Sequence, residues 1–244
     1  MVIDCHAHIG EGIMLHDVFQ INCTPERIVR LMDKGGVDKT VIFPVSYKDY
    51  NQPNEMIARV ARGNPRFIGF ARVACGAPDA PEQIEYAVKE LGLRGLKIHS
   101  MDGFPTRDVM GKVSELKIPM LVHAGMGTSP LMFEGLIQSY PDVQIILAHL
   151  GFELDWGKMF SGPLSAFYLA RKYKNVYLDT AAATWIQYIV EQAVEEAGAD
   201  KIVFGTDAPW FYPAILRASI DDLEIAEADR KKILGENMAR ILNL

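Results

Sequence analysis

The chain is expected to fold as a single-domain α/β protein, a (β/α)8 TIM barrel over residues 1–244. Three observations point there. Short apolar runs rich in β-branched residues recur along the whole sequence, the segments between them carry helical patterning, and the length suits one closed barrel, typically about 250 residues. The runs cover 2–6, 40–45, 67–73, 95–99, 119–123, 144–149, 176–180 and 201–206. Strands that alternate with helices run parallel, and a parallel sheet must be covered on both faces or closed on itself. An open doubly wound sheet would usually carry a glycine-rich phosphate turn after its first strand, where this chain has two histidines instead.

The first run, Met1-Val2-Ile3, leads into Asp4-Cys5-His6-Ala7-His8. Imidazoles at i and i+2 of a strand point to the same side and can share one metal ion. A helix follows at Thr24-Pro25-Glu26, where an N-cap, a proline at the first helical position and an acid in the first turn precede Ile28, Leu31 and Met32, with Gly35-Gly36 to stop it. Pro81 starts another helix, with Ile84, Ala87, Val88 and Leu91 on one stripe and Gly92 placed to end it. Thr184 precedes a third, carrying Ile186, Ile189, Val190, Ala193, Val194 and Ala197 up to Gly198. The long loops, 9–23, 46–54 and 151–162, all follow strands and open on the catalytic face of a barrel.

Composition narrows the function classes. Apolar residues make up 49% and charged residues 23%, ordinary values for a globular protein with a large core. The net charge of −6 is spread without a Lys/Arg block, which excludes nucleic acid and anionic membranes as expected partners and leaves a small molecule. No apolar run is long enough to span a bilayer and no basic leader precedes one, so a cytoplasmic location is expected. Cys5, Cys23 and Cys75 are odd in number and lack Cys-x-x-Cys spacing, which argues against a disulfide framework or a cysteine-type zinc site. The outer helices of a barrel offer faces on which two copies could pair as a homodimer.

His6, His8, His99, His123 and His149 all fall at the carboxyl end of a predicted strand; His16 does not. Any one of them alone reads most simply as a hydrogen-bonded structural histidine. Together they matter, because a barrel gathers the carboxyl ends of its strands on one face. Asp207 joins them from the eighth strand, in Phe204-Gly205-Thr206-Asp207-Ala208-Pro209. Three imidazoles and a carboxylate with one open position suit a divalent metal, zinc first and manganese second. A water bound there has its pKa lowered toward neutrality.

The ordered set of Asp-x-His-x-His, Gly95-Leu96-Lys97-Ile98-His99, Leu121-Val122-His123-Ala124-Gly125, Leu147-Ala148-His149-Leu150-Gly151, Gly205-Thr206-Asp207-Ala208-Pro209 and Ile233-Leu234-Gly235-Glu236-Asn237 resembles the amidohydrolase superfamily. The group usually called amidohydrolase family 2, with its metal-dependent hydrolases and aminocarboxymuconate-semialdehyde-type decarboxylases, is the nearest likeness, over almost the whole chain. The resemblance implies His6, His8, His123 and Asp207 as ligands of one ion. His149 would then be a polarising or proton-shuttling residue, or a ligand of a second ion. Lys97 stands where two-metal relatives carry a carboxylated bridging lysine; its plainer reading is an anion-binding lysine at the barrel mouth. Adenosine-type deaminases place a glutamate soon after the fifth-strand histidine, whereas His123 is followed by Ala124-Gly125-Met126.

For the pocket, Arg72 has the inward parity of Phe70 and with Lys97 could hold a substrate carboxylate; it could equally be an interstrand arginine. His99 shares the parity of Lys97 and can touch substrate. Of the aromatic residues after strands, which also include Trp156, Phe211 and Tyr212, Trp185 and Trp210 are the pocket candidates. The expected function is metal-dependent hydrolysis of a C–N or C–O bond in a cyclic amide, lactone or ester of a small carboxylated molecule. Asp207 would accept the water proton and His149 would stabilise the oxyanion. The alternative is a metal-dependent decarboxylase of an aromatic or unsaturated acid. Nothing in the strand-end residues decides between these two, because a fold and its metal cage host many chemistries; a non-catalytic ligand- or metal-binding barrel stands third, since the ligand set is complete.

Overall fold

β1 (Ile3–Ile9) pairs in parallel with β2 (Lys39–Pro44), and β2 with β3 (Phe67–Gly69). The structure is a computed structural model and describes residues 1–10, 23–125, 127–152, 161–184, 186 and 188–244. At Phe70 the third barrel strand hands over from one neighbour to the other. Phe70 N donates back to Ile42 O at 2.9 Å, and Ala71 N donates forward to Gly95 O at 2.8 Å. From there β4 (Ala71–Arg72), β5 (Leu96–Ile98), β6 (Met120–Val122), β7 (Ile145–Leu147), β8 (Val176–Asp179) and β9 (Ile202–Val203) pair in chain order. The ring closes where Cys5 N donates to Phe204 O (2.9 Å), Asp207 N to His6 O (2.8 Å) and His8 N to Ala208 O (2.7 Å). With β3 and β4 as halves of one strand, this is the closed eight-stranded parallel barrel expected from the sequence.

The edges differ from expectation in a way that matters for the site. β1 runs past His6 to Ile9, with one extra residue between Asp4 and Ala7 relative to β2, so both histidines of the opening motif lie on paired backbone. The other strands stop short. The ladder ends at Ile98, Val122 and Leu147, leaving His99, His123 and His149 just beyond the last paired residues, where the backbone is free to turn each ring over the barrel mouth.

Helices α1 (Pro25–Gly35), α2 (Asn51–Gly63), α3 (Ala80–Lys89), α4 (Arg107–Leu116), α5 (Glu134–Ser139), α6 (Ser161–Lys172), α7 (Ile189–Ala197), α8 (Pro213–Asp221), α9 (Glu227–Lys231) and α10 (Asn237–Leu242) accompany the strands. Thr24 caps α1, its side chain accepting from Arg27 N at 3.3 Å, and Gly36 ends it at φ 62°. The helix expected from Thr184 begins at Ile189 instead. After β8 the chain turns through Ala182 at φ 56°, and among the described residues the buried Thr184 hydroxyl has no hydrogen-bond partner.

Two apolar layers follow from the period-two alternation of the strands. Ile3, Cys5, Val41, Phe43, Ile68, Phe70, Leu121, Ile146 and Val203 form one cluster, which Met238, Ile241 and Leu242 of α10 join. Residues of opposite parity, such as Ile42, Leu96, Ile98 and Val122, pack with Ile28, Ile57, Ile84 and Val109 of the helices, and Ala7 joins them because the extra residue of β1 switches its face. All three cysteines are buried thiols without a disulfide. Among the described residues no helix is long and apolar enough to cross a membrane. Trp156, Trp185 and His16, with most of the loops 9–23 and 151–162, lie outside the described residues.

Candidate active site

The centre starts from β1. Asp4, the acid that opens the histidine motif, is buried and accepts from His6 N and Thr206 N, each at 2.9 Å, and from the Thr206 hydroxyl at 2.5 Å. It therefore clasps the first strand to the last and sets His6 beside Asp207. His8 Nε2 faces Asp207 Oδ1 at 2.9 Å, and His6 Nε2 lies 3.4 Å from the same oxygen. Ligand atoms of His6, His8 and Asp207 all fall within 4.8 Å of one another. Phe43 backs both rings, at centroid distances of 5.3 and 4.7 Å, and the Trp210 ring meets His8 edge-on at 4.4 Å.

Asp207 and His149 both occupy left-handed backbone, at φ 60° and 61°, and Leu150 follows at φ 50°. For residues with a Cβ this costs on the order of 1–3 kcal/mol each and needs surrounding structure to hold it. Asp207 is held through its N–H to His6 O, and His149 through its N–H to Asp179 Oδ1 at 2.8 Å.

Asp179 organises the rest, and it was not picked out from the sequence. Its Oδ2 accepts from His6 Nδ1 at 2.7 Å, while Oδ1 accepts from the backbone N–H groups of His149 and Ala181 at 2.8 and 2.9 Å. A ring whose Nδ1–H is given to a carboxylate presents a bare Nε2, the form a metal binds, so Asp179 both orients His6 and fixes its tautomer. The second branch runs by the same logic. His149 Nδ1 is 3.0 Å from Ala181 O, which can only accept, so His149 carries its proton on Nδ1 and accepts at Nε2 from His123 Nδ1, 3.2 Å away. His123 is left with a bare Nε2.

Burial is the main cause of the electrostatics here. It holds His6 and His8 well below the ordinary imidazole range, with Lys97 adding to the effect, and lowers His123 and His149 as well. His99 is brought down to about 2, by burial first and then by Lys97 and Arg72. The imidazoles are therefore neutral, as metal ligands must be. Burial also raises the Asp207 carboxyl, and it lifts Asp179 to about 7 against the backbone donors that favour its charged form. Lys97 is fully buried and lowered to about 8, its Nζ 3.3 Å from His6 Nε2 and 5.0 Å above the Phe43 ring.

The donor set fits a divalent metal ion. Its nitrogen donors are neutral, a carboxylate oxygen converges with them, and the buried His8 Nδ1 has no partner among the described residues. Three expected placements change. His123 falls outside this cluster and outside a second one, formed by His6, His149 and Asp179, because its Nδ1 is drawn to His149 and its ring lies on His99 at a centroid distance of 4.1 Å. His149, read as a polarising group, shuttle or second-ion ligand, has both ring nitrogens engaged, one by Ala181 O and the other by His123.

Arg72, read as a holder of the substrate carboxylate, is 1% exposed and spends its donors on Asp102, Pro44 O and Ser46 Oγ. Its partner Asp102 went unrecognised in the sequence because histidine, three residues earlier, is not among the usual N-cap types. Asp179 did carry a readable signal, as an acid ending an apolar strand where the histidines end theirs.

Comparison with known proteins revises the chemistry. A gamma-resorcylate decarboxylase of Polaromonas sp. is 27% identical over 288 residues, covering 90% of this chain and 87% of that protein. A crystal structure of 2,6-dihydroxybenzoate decarboxylase complexed with 2,6-dihydroxybenzoate superposes with a TM-score of 0.78 at 20% identity, over 99% of this chain and 98% of that one. A dihydroxybenzoic acid decarboxylase from Polaromonas sp., with bound manganese and the inhibitor 2-nitroresorcinol, does so with a TM-score of 0.75 at 22% identity, over 100% and 97%. These relatives are decarboxylases, which overturns the expectation of C–N or C–O hydrolysis and favours the alternative. The metal in the Polaromonas structure is manganese, and nothing in the donor set here singles out the expected zinc. The amidohydrolase family model matches residues 3–244, and with that match, on a closed barrel carrying its histidines and Asp207 at the strand ends, the chain belongs to the amidohydrolase family of enzymes.

Proposed function

We propose that this chain is a metal-dependent decarboxylase of a small hydroxylated aromatic carboxylic acid. The observation that carries the reading is the likeness to gamma-resorcylate decarboxylase across 90% of the chain, on a barrel whose own strand ends supply neutral imidazoles and a carboxylate. His6, His8 and Asp207 would hold one ion, joined by His123 through the Nε2 that its bond to His149 leaves bare, with manganese preferred over zinc. A second ion is disfavoured because His6 Nδ1 and two backbone N–H groups already occupy the oxygens of Asp179. When bound, the ion supplies a Lewis acid that draws the oxygens of the acid into a fixed orientation.

In the reaction the bond between ring carbon and carboxyl carbon breaks, its electron pair stays on the ring, CO2 leaves and a proton takes its place. Asp207 is the acid proposed to deliver that proton, since it stands at the centre of the cluster with Oδ1 turned to His8 and His6. Lys97, held over the buried Phe43 ring, adds positive charge beneath the site, the sign an anionic acid needs, and Trp210, edge-on to His8, offers an aromatic wall.

The test is to incubate the manganese-loaded protein with 2,6-dihydroxybenzoate in D2O. The expected products are CO2 and a ring carrying one new deuterium at the vacated carbon. No CO2 from this acid or from a panel of hydroxybenzoates would sink the reading, and solvent 18O entering a product would point back to hydrolysis. Asp207→Asn should lower turnover by roughly 10²–10⁴-fold, with metal content measured in parallel.

A further inference from the structure

Beside this centre lies a buried device that neither the metal nor the proton step uses. Asp102 accepts four hydrogen bonds: from Arg72 Nε at 2.7 Å, Arg72 Nη2 at 3.2 Å, the Tyr50 hydroxyl at 2.5 Å and His99 N at 3.0 Å. Arg72 in turn donates to Pro44 O and Ser46 Oγ, at the end of β2 and just beyond it. The short turn Ser100–Asp102 is thereby pinned to the neighbouring strand ends, and His99 caps it, with Met101 N donating to His99 Nδ1 at 3.2 Å.

A backbone N–H can only donate, so His99 Nδ1 is bare and the ring proton sits on Nε2. This is the reverse of His6, His123 and His149, each of which carries its proton on Nδ1. The His99 ring lies on His123 at a centroid distance of 4.1 Å and an interplanar angle of 32°, which puts its N–H beside a ring proposed to bind the metal. Among the described residues no group accepts from His99 Nε2, and it is not one of the sealed polar atoms.

We infer that His99 is a specificity residue: locked as the Nε2–H tautomer by the Asp102 turn, it donates to an anionic oxygen of the bound aromatic acid and does not ligate the metal. The ligand rests on the decarboxylase reading; the tautomer does not. A hydrogen bond to a charged oxygen is worth roughly tenfold or more in affinity.

Two measurements on the full chain test the inference: calorimetry on the manganese-loaded protein, and ring NMR on the protein loaded with diamagnetic zinc, because manganese would broaden the ring signals beyond detection. In calorimetric titration with 2,6-dihydroxybenzoate, His99→Ala should bind roughly tenfold more weakly than wild type. His99→Gln, whose amide keeps a donor, should recover most of that loss, with manganese content the same in all three proteins. Unchanged affinity in His99→Ala overturns the role, and loss of manganese in that variant would make His99 a ligand instead. If wild-type protein neither binds this acid nor releases CO2 from it, the decarboxylase reading falls and takes the proposed ligand with it. Long-range 15N–1H correlation of the histidine rings, with His99 assigned from the Gln variant, needs no substrate. A proton on Nε2 is expected, and a proton on Nδ1 overturns the assignment whatever the activity.

Discussion

Asp179 shows how one side chain can set the chemistry of others. Through Oδ2 it fixes the tautomer of His6 directly. Through Oδ1 it holds the backbone of His149 and Ala181, and so the relay that leaves His123 Nε2 bare. Asp179→Asn keeps the shape but replaces an acceptor-only oxygen with an amide that can turn a donor toward His6. We expect manganese affinity to fall by about 10–100-fold while thermal unfolding stays cooperative, read by competition against a chelator of known affinity. Wild-type affinity in the variant would mean that the His6 tautomer is held by something else.

Among the elements, the turns after the strands carry the function, and the strands only aim them. The turn Ser100–Asp102 is an example: its orientation depends on an ion pair between Arg72 and Asp102, with side chains 1% and 3% exposed. Removing one partner of a buried pair leaves the other charged and alone, which costs about 3–5 kcal/mol. Arg72→Ala should therefore lower the unfolding free energy, measured by urea titration, by an amount in that range. Thr24→Ala, which removes only the cap of α1, should cost about 1 kcal/mol. Equal effects in the two variants would show that the Arg72–Asp102 pair is solvated and cannot hold the turn.

At the scale of the whole molecule, the barrel interior leaves little room below the site. A Cβ added at Gly95 would lie 2.4 Å from the Phe70 ring at the strand junction. Gly95→Ala should destabilise by about 1–3 kcal/mol without changing metal stoichiometry, since the clash is with the core cluster and not with a ligand. The metal, bound only by the folded barrel, should stabilise it by mass action, by about 2.7 kcal/mol at a hundredfold excess over Kd. Treatment with a chelator should then lower Tm, and added manganese should restore it. A Tm indifferent to both would mean that the imidazoles form a site only when substrate is present.

Periodicity, strand-end histidines and helix stop signals were enough to read the barrel, the approximate place of every strand and the convergence of His6, His8 and Asp207, because these depend on local patterning and on a closure that a parallel eight-strand chain adopts. The helix before Ile189 was misread for a local reason too, since Thr184 looks like a cap until the turn at Ala182 directs the chain elsewhere. The rest belonged to the tertiary structure. Whether Arg72 met substrate or Asp102, whether His149 was free or tied to His123, and that Asp179 stood behind His6 all depend on which side chain reaches which acceptor across 26 to 173 residues of chain. A buried donor must find a partner and takes the one that packing brings within 3 Å or so, and that choice has no period or spacing along the chain.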